Sequence, residues 1–166
     1  MPPPVAFIIG AGWNVGRSVA STLKGLGYKI ALGSRSPPGF TGDFLYVRMD
    51  ATKPDDVAEA FDKVTKELGP PHVVIFNPCT FQPIPRPGDP LSLSRPAFER
   101  HIAIGTAVFD SAQHALAGFR KLGPGTPGSP RTFIVTGNIA PFSWSCLLSR
   151  IKKRASSGLP RLAFAV

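Results

Sequence analysis

The sequence has few cysteines and histidines, no long hydrophobic run, and no acidic residue in its final third. With cysteines only at 79 and 146 and histidines only at 72, 101 and 114, it offers no zinc-ligand spacing, so we expect no metal site. No apolar run approaches the roughly 20 residues that a membrane helix needs, and the N-terminus lacks the basic segment of a signal peptide. We therefore expect a cytoplasmic protein with no membrane partner.

The acidic residues are distributed unevenly. Residues 111–166 contain eight Lys or Arg residues and no Asp or Glu, whereas residues 1–110 contain eleven basic and all ten acidic residues. The basic end has two interpretations: a patch for phosphates or nucleic acid, or a segment that does not belong to the fold before it. The cluster Arg150, Lys152, Lys153 and Arg154 lacks interleaved aromatic side chains, so nucleic acid is not the expected partner.

Short apolar runs alternate with helix-like segments along most of the 166 residues. Hydrophobic residues make up 43% and charged residues 17% of the chain, a composition typical of one globular domain. Five strands are predicted at VAFII, YKIAL, FLYVRM, HVVIF and TFIV. Apolar spacings of three and four predict a helix after Val15, a second over 54–68, and a long third one marked by Phe98, Ile102, Phe109, Ala112, Leu116 and Phe119. This alternation predicts an α/β domain with a parallel sheet between helices.

Three glycines, Gly10, Gly12 and Gly16, separate the first predicted strand from the first helix. Such a turn lets backbone N–H groups and the positive end of the helix meet a phosphate. A nucleoside-triphosphate loop fits poorly, because five residues rather than four separate Gly10 from Gly16, and Arg17 stands where a lysine is required. We therefore predict a dinucleotide site, in which Gly10 allows the turn, Gly12 the approach of the ligand, and Gly16 close helix packing.

Arg35 follows the second predicted strand, between Ser34 and Ser36. A site for NAD usually has an acid about 20 residues after the glycines, where it binds the ribose 2′-hydroxyl. An arginine at this place can pair with a 2′-phosphate and lie flat on adenine. The sequence therefore predicts NADP(H) in preference to NAD(H), with a solvated loop arginine as the alternative.

The order and spacing of these motifs resemble the short-chain dehydrogenase/reductase family over about residues 4–140. IIGAGWNVGRSVA resembles its first strand, glycine turn and helix; YVRMDATKPDDVAEAF its third strand; VVIFNPCT its fourth; and TFIVTGN its fifth. The resemblance implies a three-layer, doubly wound, Rossmann-like sheet in the order 3-2-1-4-5. It also implies NADP(H)-dependent oxidoreduction of a carbonyl or hydroxyl substrate. The helix over 95–120 resembles the family's dimer helix, which suggests a homodimer.

The resemblance further implies cofactor-binding residues in four segments. The pyrophosphate would lie at the glycine turn, the 2′-phosphate after the second strand, adenine after the third, and the nearer ribose after the fourth. The residues at the pyrophosphate are Gly10, Gly12, Trp13, Asn14, Val15 and Gly16, and those at the 2′-phosphate are Ser34, Arg35 and Ser36. Those at adenine are Asp50 and Ala51, and those at the ribose are Asn77 and Pro78. Trp13 has two interpretations: it covers the pyrophosphate, or it plugs the loop against its neighbours.

The catalytic residues of the family are largely replaced. No Tyr-x-x-x-Lys is present, since the only tyrosines stand at 28 and 46. Asn138 occupies the position of the family's serine, and Ile104 stands close to that of its helix asparagine. Lys153 is the candidate for the lysine that holds the ribose. Two functions therefore stay open: an oxidoreductase, and a dinucleotide-binding or interaction protein without catalysis.

The predicted domain ends near residue 140, and residues 141–166 form a basic tail that matches the family poorly. A doubly wound fold of this kind continues to a sixth strand, for which the tail has no β-branched run. We expect either a family member truncated or misread after about Ile139, or a shortened member that recruits a partner to complete the sheet. An inactive fragment is the third interpretation of the whole chain.

Overall fold

The computed structural model describes residues 2–80, 83, 85, 86, 88–122 and 131–137. The elements in chain order are β1 (Val5–Ile9), α1 (Val15–Gly25), β2 (Lys29–Ser34), β3 (Leu45–Arg48), α2 (Pro54–Leu68), β4 (Val73–Phe76), a short 3-10 helix (Pro90–Ser92), α3 (Arg95–Lys121) and β5 (Thr132–Val135). The five strands form one parallel sheet in the order β3-β2-β1-β4-β5. The predicted fold class and strand order are confirmed. The predicted tail lies outside the described residues.

The central strand β1 is buried on both faces, which explains its uninterrupted apolar sequence. Val5, Phe7 and Ile9 belong to a core shared with α2 and α3. Ala6 and Ile8 point the other way, into a second core shared with α1. The alternation of side chains along one strand thus builds three layers, in which the described residues place α1 on one face of the sheet and α2 and α3 on the other.

Helix α2 follows the pattern that predicted it. Pro54 occupies the first turn together with Asp55 and Asp56, whose charges suit the positive helix end. The helix buries Val57, Ala60, Phe61 and Val64, and the ring of Phe61 meets that of Phe7 edge-on at 5.1 Å between centroids. Gly69 then ends the helix with a φ of +104°, a conformation that favours glycine.

Apart from Phe119, helix α3 buries small residues rather than large ones. Of the residues that marked it in the sequence, only Phe119 is buried, together with Ala97, Ala107, Ser111 and Ala115. Four large apolar side chains are instead 49% to 63% exposed: Phe98, Ile102, Phe109 and Leu116. Small side chains permit close approach to α2 and the sheet, so the apolar stripe read from the sequence is mainly a surface feature.

Candidate functional site

The carboxyl ends of all five strands lie at one edge of the sheet, as parallel pairing requires. A cleft of about 820 Å³ opens there, within the size range usual for ligand sites. Its lining comes from four connections and one helix: residues 9–12, 33–38, 49–52 and 77–80, with Arg100, Ala103 and Ile104 of α3. The sheet therefore brings segments far apart in sequence to one cavity.

The three glycines of the first turn have different steric surroundings. Gly10 has a φ of +75°, and a Cβ atom there would lie 2.5 Å from the backbone nitrogen of Pro78. A Cβ atom at Gly16 would lie 2.7 Å from the Cα atom of Ala11. At Gly12, by contrast, nothing lies within 4 Å of that position, and Gly12 lines the cleft. Gly10 and Gly16 are thus needed by the fold itself, whereas Gly12 leaves open space at the cavity.

Arg35 lies at the exposed rim of the cleft, directly after β2. The hydroxyl of Ser34 donates a 2.5 Å hydrogen bond to the carbonyl of Ser36, which closes the backbone around Arg35. The hydroxyl of Tyr46, on the neighbouring strand, donates to the carbonyl of Ser34 at 3.1 Å. These bonds fix the backbone on either side of a cationic side chain that faces the cavity.

Hydrogen bonds hold both the side chain and the backbone N–H of Asp50 in place. Its Oδ1 atom accepts hydrogen bonds from the backbone N–H of Thr52 at 3.0 Å and from the Thr52 hydroxyl at 2.8 Å. Its own N–H donates to Oδ2 of Asp56 at 2.8 Å. Partial burial acts to raise the pKa of Asp50, but the Thr52 bonds and the charges of Arg35 and Lys53 outweigh it and lower that pKa below its ordinary value. Asp50 is therefore a carboxylate at neutral pH.

Asn77 joins three strand ends. Its Nδ2 atom donates to the carbonyl of Gly10 at 3.0 Å, and its Oδ1 atom accepts from the Thr136 hydroxyl at 2.8 Å. Its backbone N–H donates to the carbonyl of Ile9 at 2.9 Å. The amide group is thus engaged by the protein at both ends, so Asn77 sets the relative position of the turns after β1, β4 and β5.

The cleft gathers many of the residues predicted for the cofactor. Those that line it are Gly10, Gly12, Ser34, Arg35, Ser36, Asp50, Ala51, Asn77 and Pro78. Trp13, Asn14, Val15 and Gly16 follow in the same turn and at the start of α1 but are not among the lining residues. Asn138 and Lys153 lie outside the described residues. The cofactor roles of all these side chains stay predictions.

Other lining residues had no prediction attached to them. Thr52 could have been suggested by its place two residues after Asp50. Arg100 and Ala103 line the cleft because α3 passes across its side. Arg100 lies one helical turn before Ile104, and Ala103 directly before it. No sequence motif marks Arg100, since a helix position facing a cavity becomes visible only once the helix is docked.

Two absences concern the described residues alone. There, no helix is both long enough and apolar enough to span a bilayer. The same residues contain no group of three or more His, Cys, Asp or Glu side chains placed to hold a metal ion.

Sequence comparison finds a relative of the predicted family. No protein-family profile matches the chain. The short chain dehydrogenase/reductase dmxR12 of Cryptosporiopsis sp. (strain 8999) is 35% identical over 154 residues, which cover 86% of this chain and 61% of that protein.

Solved structures share the fold. A short-chain type dehydrogenase/reductase from Mycobacterium marinum is 25% identical with a TM-score of 0.70, over 86% of this chain and 59% of that one. L-Sorbose reductase from Gluconobacter frateurii, complexed with NADPH and L-sorbose, is 18% identical with a TM-score of 0.72, over 93% and 60%. 3-Ketoacyl-(acyl-carrier-protein) reductase from Brucella melitensis, complexed with NADH, is 18% identical with a TM-score of 0.72, over 84% and 59%.

The fold, the strand order and these likenesses agree, and the chain belongs to the short-chain dehydrogenase/reductase family. It spans about three fifths of the length of the relatives it matches.

Proposed function

We propose that the chain binds NADP(H) in the cleft and serves as an oxidoreductase acting on a carbonyl or hydroxyl substrate. The observation that carries the proposal is Arg35, flanked by two serines, at the rim of the cavity that Gly12 leaves open. A pyrophosphate needs backbone it can approach closely, and a 2′-phosphate needs a cation with hydroxyl donors beside it. Gly12 fits the first requirement, and Arg35 with the Ser36 hydroxyl fits the second. The Ser34 hydroxyl instead donates to the Ser36 carbonyl and holds the backbone around Arg35.

The chain's own residues have separate tasks in this proposal. The backbone around Gly12 would hold the pyrophosphate, and Arg35 and Ser36 would bind the 2′-phosphate, with Ser34 holding the backbone between them. Asp50 and Ala51 would border adenine, while Asn77 and Pro78 would border the nearer ribose. Because Asn77 is already hydrogen-bonded on both sides of its amide, we infer that it positions the ribose pocket through the backbone. The nicotinamide ring, when bound, supplies or accepts the hydride.

A second candidate function has support from Ile104. This side chain lines the cleft near the place where the family resemblance implies an asparagine, and an aliphatic side chain cannot hydrogen-bond to a water relay. Of the candidates outside the described part, Asn138 would hydrogen-bond the substrate carbonyl and Lys153 would hold the ribose, and neither replaces the family's tyrosine as the general acid. The alternative is a dinucleotide-binding protein without catalysis.

We also propose that α3 mediates a homodimer. Ile102, Phe109 and Leu116 recur every seven residues, and Phe98 stands one turn before Ile102, so all four share one side of the helix. Exposed large apolar side chains in one contiguous stripe are typical of protein–protein contacts.

Calorimetric titration of the full chain with NADPH and with NADH tests the cofactor. A hydrogen bond to a charged group contributes about 1.5–3 kcal/mol, so we expect Arg35→Ala to weaken NADPH binding by about 10- to 150-fold and to leave NADH nearly unchanged. Arg120→Ala, which removes an exposed arginine from the last turn of α3, is the matched control. Equal affinity of the wild-type chain for the two dinucleotides would contradict the proposed preference.

A separate assay addresses catalysis. NADPH consumption is followed with a panel of aldehydes and ketones, for the wild-type chain and for Asn138→Ala. Turnover that the substitution abolishes supports the oxidoreductase and assigns Asn138 to the reaction. Tight NADPH binding without turnover on any substrate favours the non-catalytic alternative.

A further inference from the structure

The connection between β2 and β3, residues 35–44, begins with Arg35 and is packed against the glycine turn by a row of aromatic rings. Phe40 is the middle of this row. Its centroid lies 6.5 Å from that of Trp13 and 5.9 Å from that of Phe44, with interplanar angles of 67° and 76°. Both contacts are edge-to-face, the arrangement that aromatic pairs favour. Phe40 thus links the turn after β1 to the connection after β2.

Cations of α1 lie at both ends of the row. The guanidinium carbon of Arg17 is 4.8 Å from the centroid of the Trp13 ring. At the other end, the Lys24 ammonium lies 5.3 Å from the Phe44 ring and pairs with the Asp43 carboxylate at 3.1 Å. Such cation–π contacts add attraction beyond packing. The connection is therefore held against α1 at two points, one at Phe40 through Trp13 and one at Phe44.

Only a short, stiff stretch separates Phe40 from the cleft. Pro37 and Pro38 follow Ser36, and each proline ring fixes its own φ and restricts the residue before it. Gly39 then has a φ of +72°, which turns the chain towards Trp13. With the backbone of both prolines restricted, a displacement of Phe40 would be passed along this stretch to Ser36 and Arg35, with Gly39 as the one glycine in the stretch.

We propose that Phe40 is a positioning residue for recognition of the 2′-phosphate. By packing against Trp13, it fixes the Pro37–Pro38 stretch and thereby keeps Arg35 at the rim of the cleft. Phe40 itself is not among the lining residues. This inference rests on the proposed NADP(H) function and adds to it the device that holds the selecting arginine in place.

The same geometry assigns a task to Trp13. Its ring is 56% exposed, is contacted by Phe40 and Arg17, and does not line the cleft. Of the two interpretations made from the sequence, this arrangement favours the one in which Trp13 packs the loop against its neighbours. Trp13 then contributes to cofactor choice through Phe40, without touching the pyrophosphate.

The test compares Phe40→Ala with the conservative Phe40→Tyr by calorimetric titration with NADPH and NADH. Loss of both edge-to-face pairs and their packing should weaken NADPH binding about five- to tenfold in Phe40→Ala. NADH binding should change less than about twofold, because NADH has no 2′-phosphate for Arg35 to hold. Phe40→Tyr keeps the ring and should bind both dinucleotides as the wild type does.

A double variant shows whether Phe40 acts through Arg35. In Arg35→Ala, the further change Phe40→Ala should have no additional effect on NADPH affinity, because the group it positions is gone. If Phe40→Ala fails to fold, Phe40→Leu replaces it, with an expected threefold or so loss for NADPH alone. Thermal unfolding of each variant establishes that it is folded before titration.

Several outcomes overturn the inference. Equal weakening for NADPH and NADH would mean that Phe40 supports the whole nucleotide site rather than the choice between cofactors. Unchanged NADPH affinity, or a full effect of Phe40→Ala in the Arg35→Ala background, would also contradict it. In these cases the wild type still prefers NADPH and the proposed function stands. If the folded wild type binds neither dinucleotide, the proposed function itself is wrong, and the inference with it.

Discussion

The hydroxyl of Thr136 donates a 2.8 Å hydrogen bond to the Oδ1 atom of Asn77, which joins the ends of β5 and β4 at the cleft. The backbone N–H of Thr136 also donates to the carbonyl of Phe76 at 3.0 Å, so the residue extends the pairing of the two strands by one step. Since Asn77 in turn donates to Gly10, an edge strand is coupled to the glycine turn through one amide side chain.

We predict that Thr136→Val lowers the free energy of unfolding by about 1 kcal/mol, because the partly buried Asn77 oxygen loses this donor while side-chain shape is kept. Urea denaturation of the full chain measures the change. Thr136→Ser retains the hydroxyl and is the control, expected to restore most of the loss. Destabilisation by Thr136→Ser but not by Thr136→Val would mean that the methyl group, and not the hydrogen bond, is what stabilises the site.

Gly10→Ala and Gly12→Ala should separate stability from binding. At Gly10, the positive φ and the 2.5 Å approach to Pro78 mean that a methyl group costs at least about 2 kcal/mol of folding free energy. At Gly12, the position of a Cβ atom is open, so Gly12→Ala should leave stability within about 1 kcal/mol of wild type.

The second half of that prediction concerns the cofactor. Gly12→Ala places a methyl group in the space assigned to the pyrophosphate, and we expect NADPH affinity to fall by about tenfold or more. Denaturation and calorimetry on the same preparations check both quantities. A Gly12→Ala chain that binds NADPH normally would remove Gly12 from the proposed site.

His72 predicts a dependence of stability on pH. Its Nδ1 atom accepts a hydrogen bond from the N–H of Val5 at 3.2 Å. Burial and the charge of Arg131 lower the pKa of His72 below the ordinary 6.5. A hydrogen bond with the Pro70 backbone acts to raise this pKa but is outweighed. The unfolded chain therefore binds a proton at His72 more readily than the folded one, and stability falls as the pH drops below about 6.5.

Unfolding free energies measured between about pH 5 and pH 7 check this, with His72→Ala as the comparison. The wild type should lose more stability on acidification than the variant does. An imidazole pKa above 6.5 in an NMR titration of the folded chain, or identical pH profiles for the two proteins, would contradict the prediction.

The exposed stripe of α3 predicts a change in oligomeric state. Phe109→Asp puts a charge in the middle of the proposed dimer contact, and we expect the dimer dissociation constant to rise by at least about tenfold. Sedimentation velocity over a range of concentrations measures it. Leu26→Asp, at an apolar residue directly after α1 that is 69% exposed, is the control and should leave association unchanged. A wild-type chain that is monomeric at all concentrations would contradict the proposal.

Much of the fold could be predicted because its signals are local. The five-residue run VAFII and the Val57–Phe61–Val64 spacing each identify an element from neighbouring residues alone. The strand order followed from family resemblance and was confirmed. In α3, however, periodicity shows only that an apolar stripe exists. Which side meets the core depends on how closely a neighbouring helix approaches, and Ala107 and Ala115 decide that.

The candidate site also has residues that local sequence predicts and residues that it does not. Gly10 and Arg35 could be predicted because a turn and a strand end are visible in sequence. The role of Phe40 could not, since its partners Trp13 and Phe44 meet it only when the connection folds back onto α1. Arg100 reaches the cleft for a similar reason, as part of a helix whose orientation no local pattern determines.

Each of the five strands is followed immediately by a residue of the cleft or of its hydrogen-bond network: Gly10, Arg35, Met49, Asn77 and Thr136. Successive side chains of a strand point to opposite faces and advance about 3.3 Å. Inserting or deleting one residue within a strand would therefore exchange its two faces and shift the group at its end by a full step. We therefore expect a change of length within a strand to misplace both the core side chains of that strand and the cleft residue that follows it.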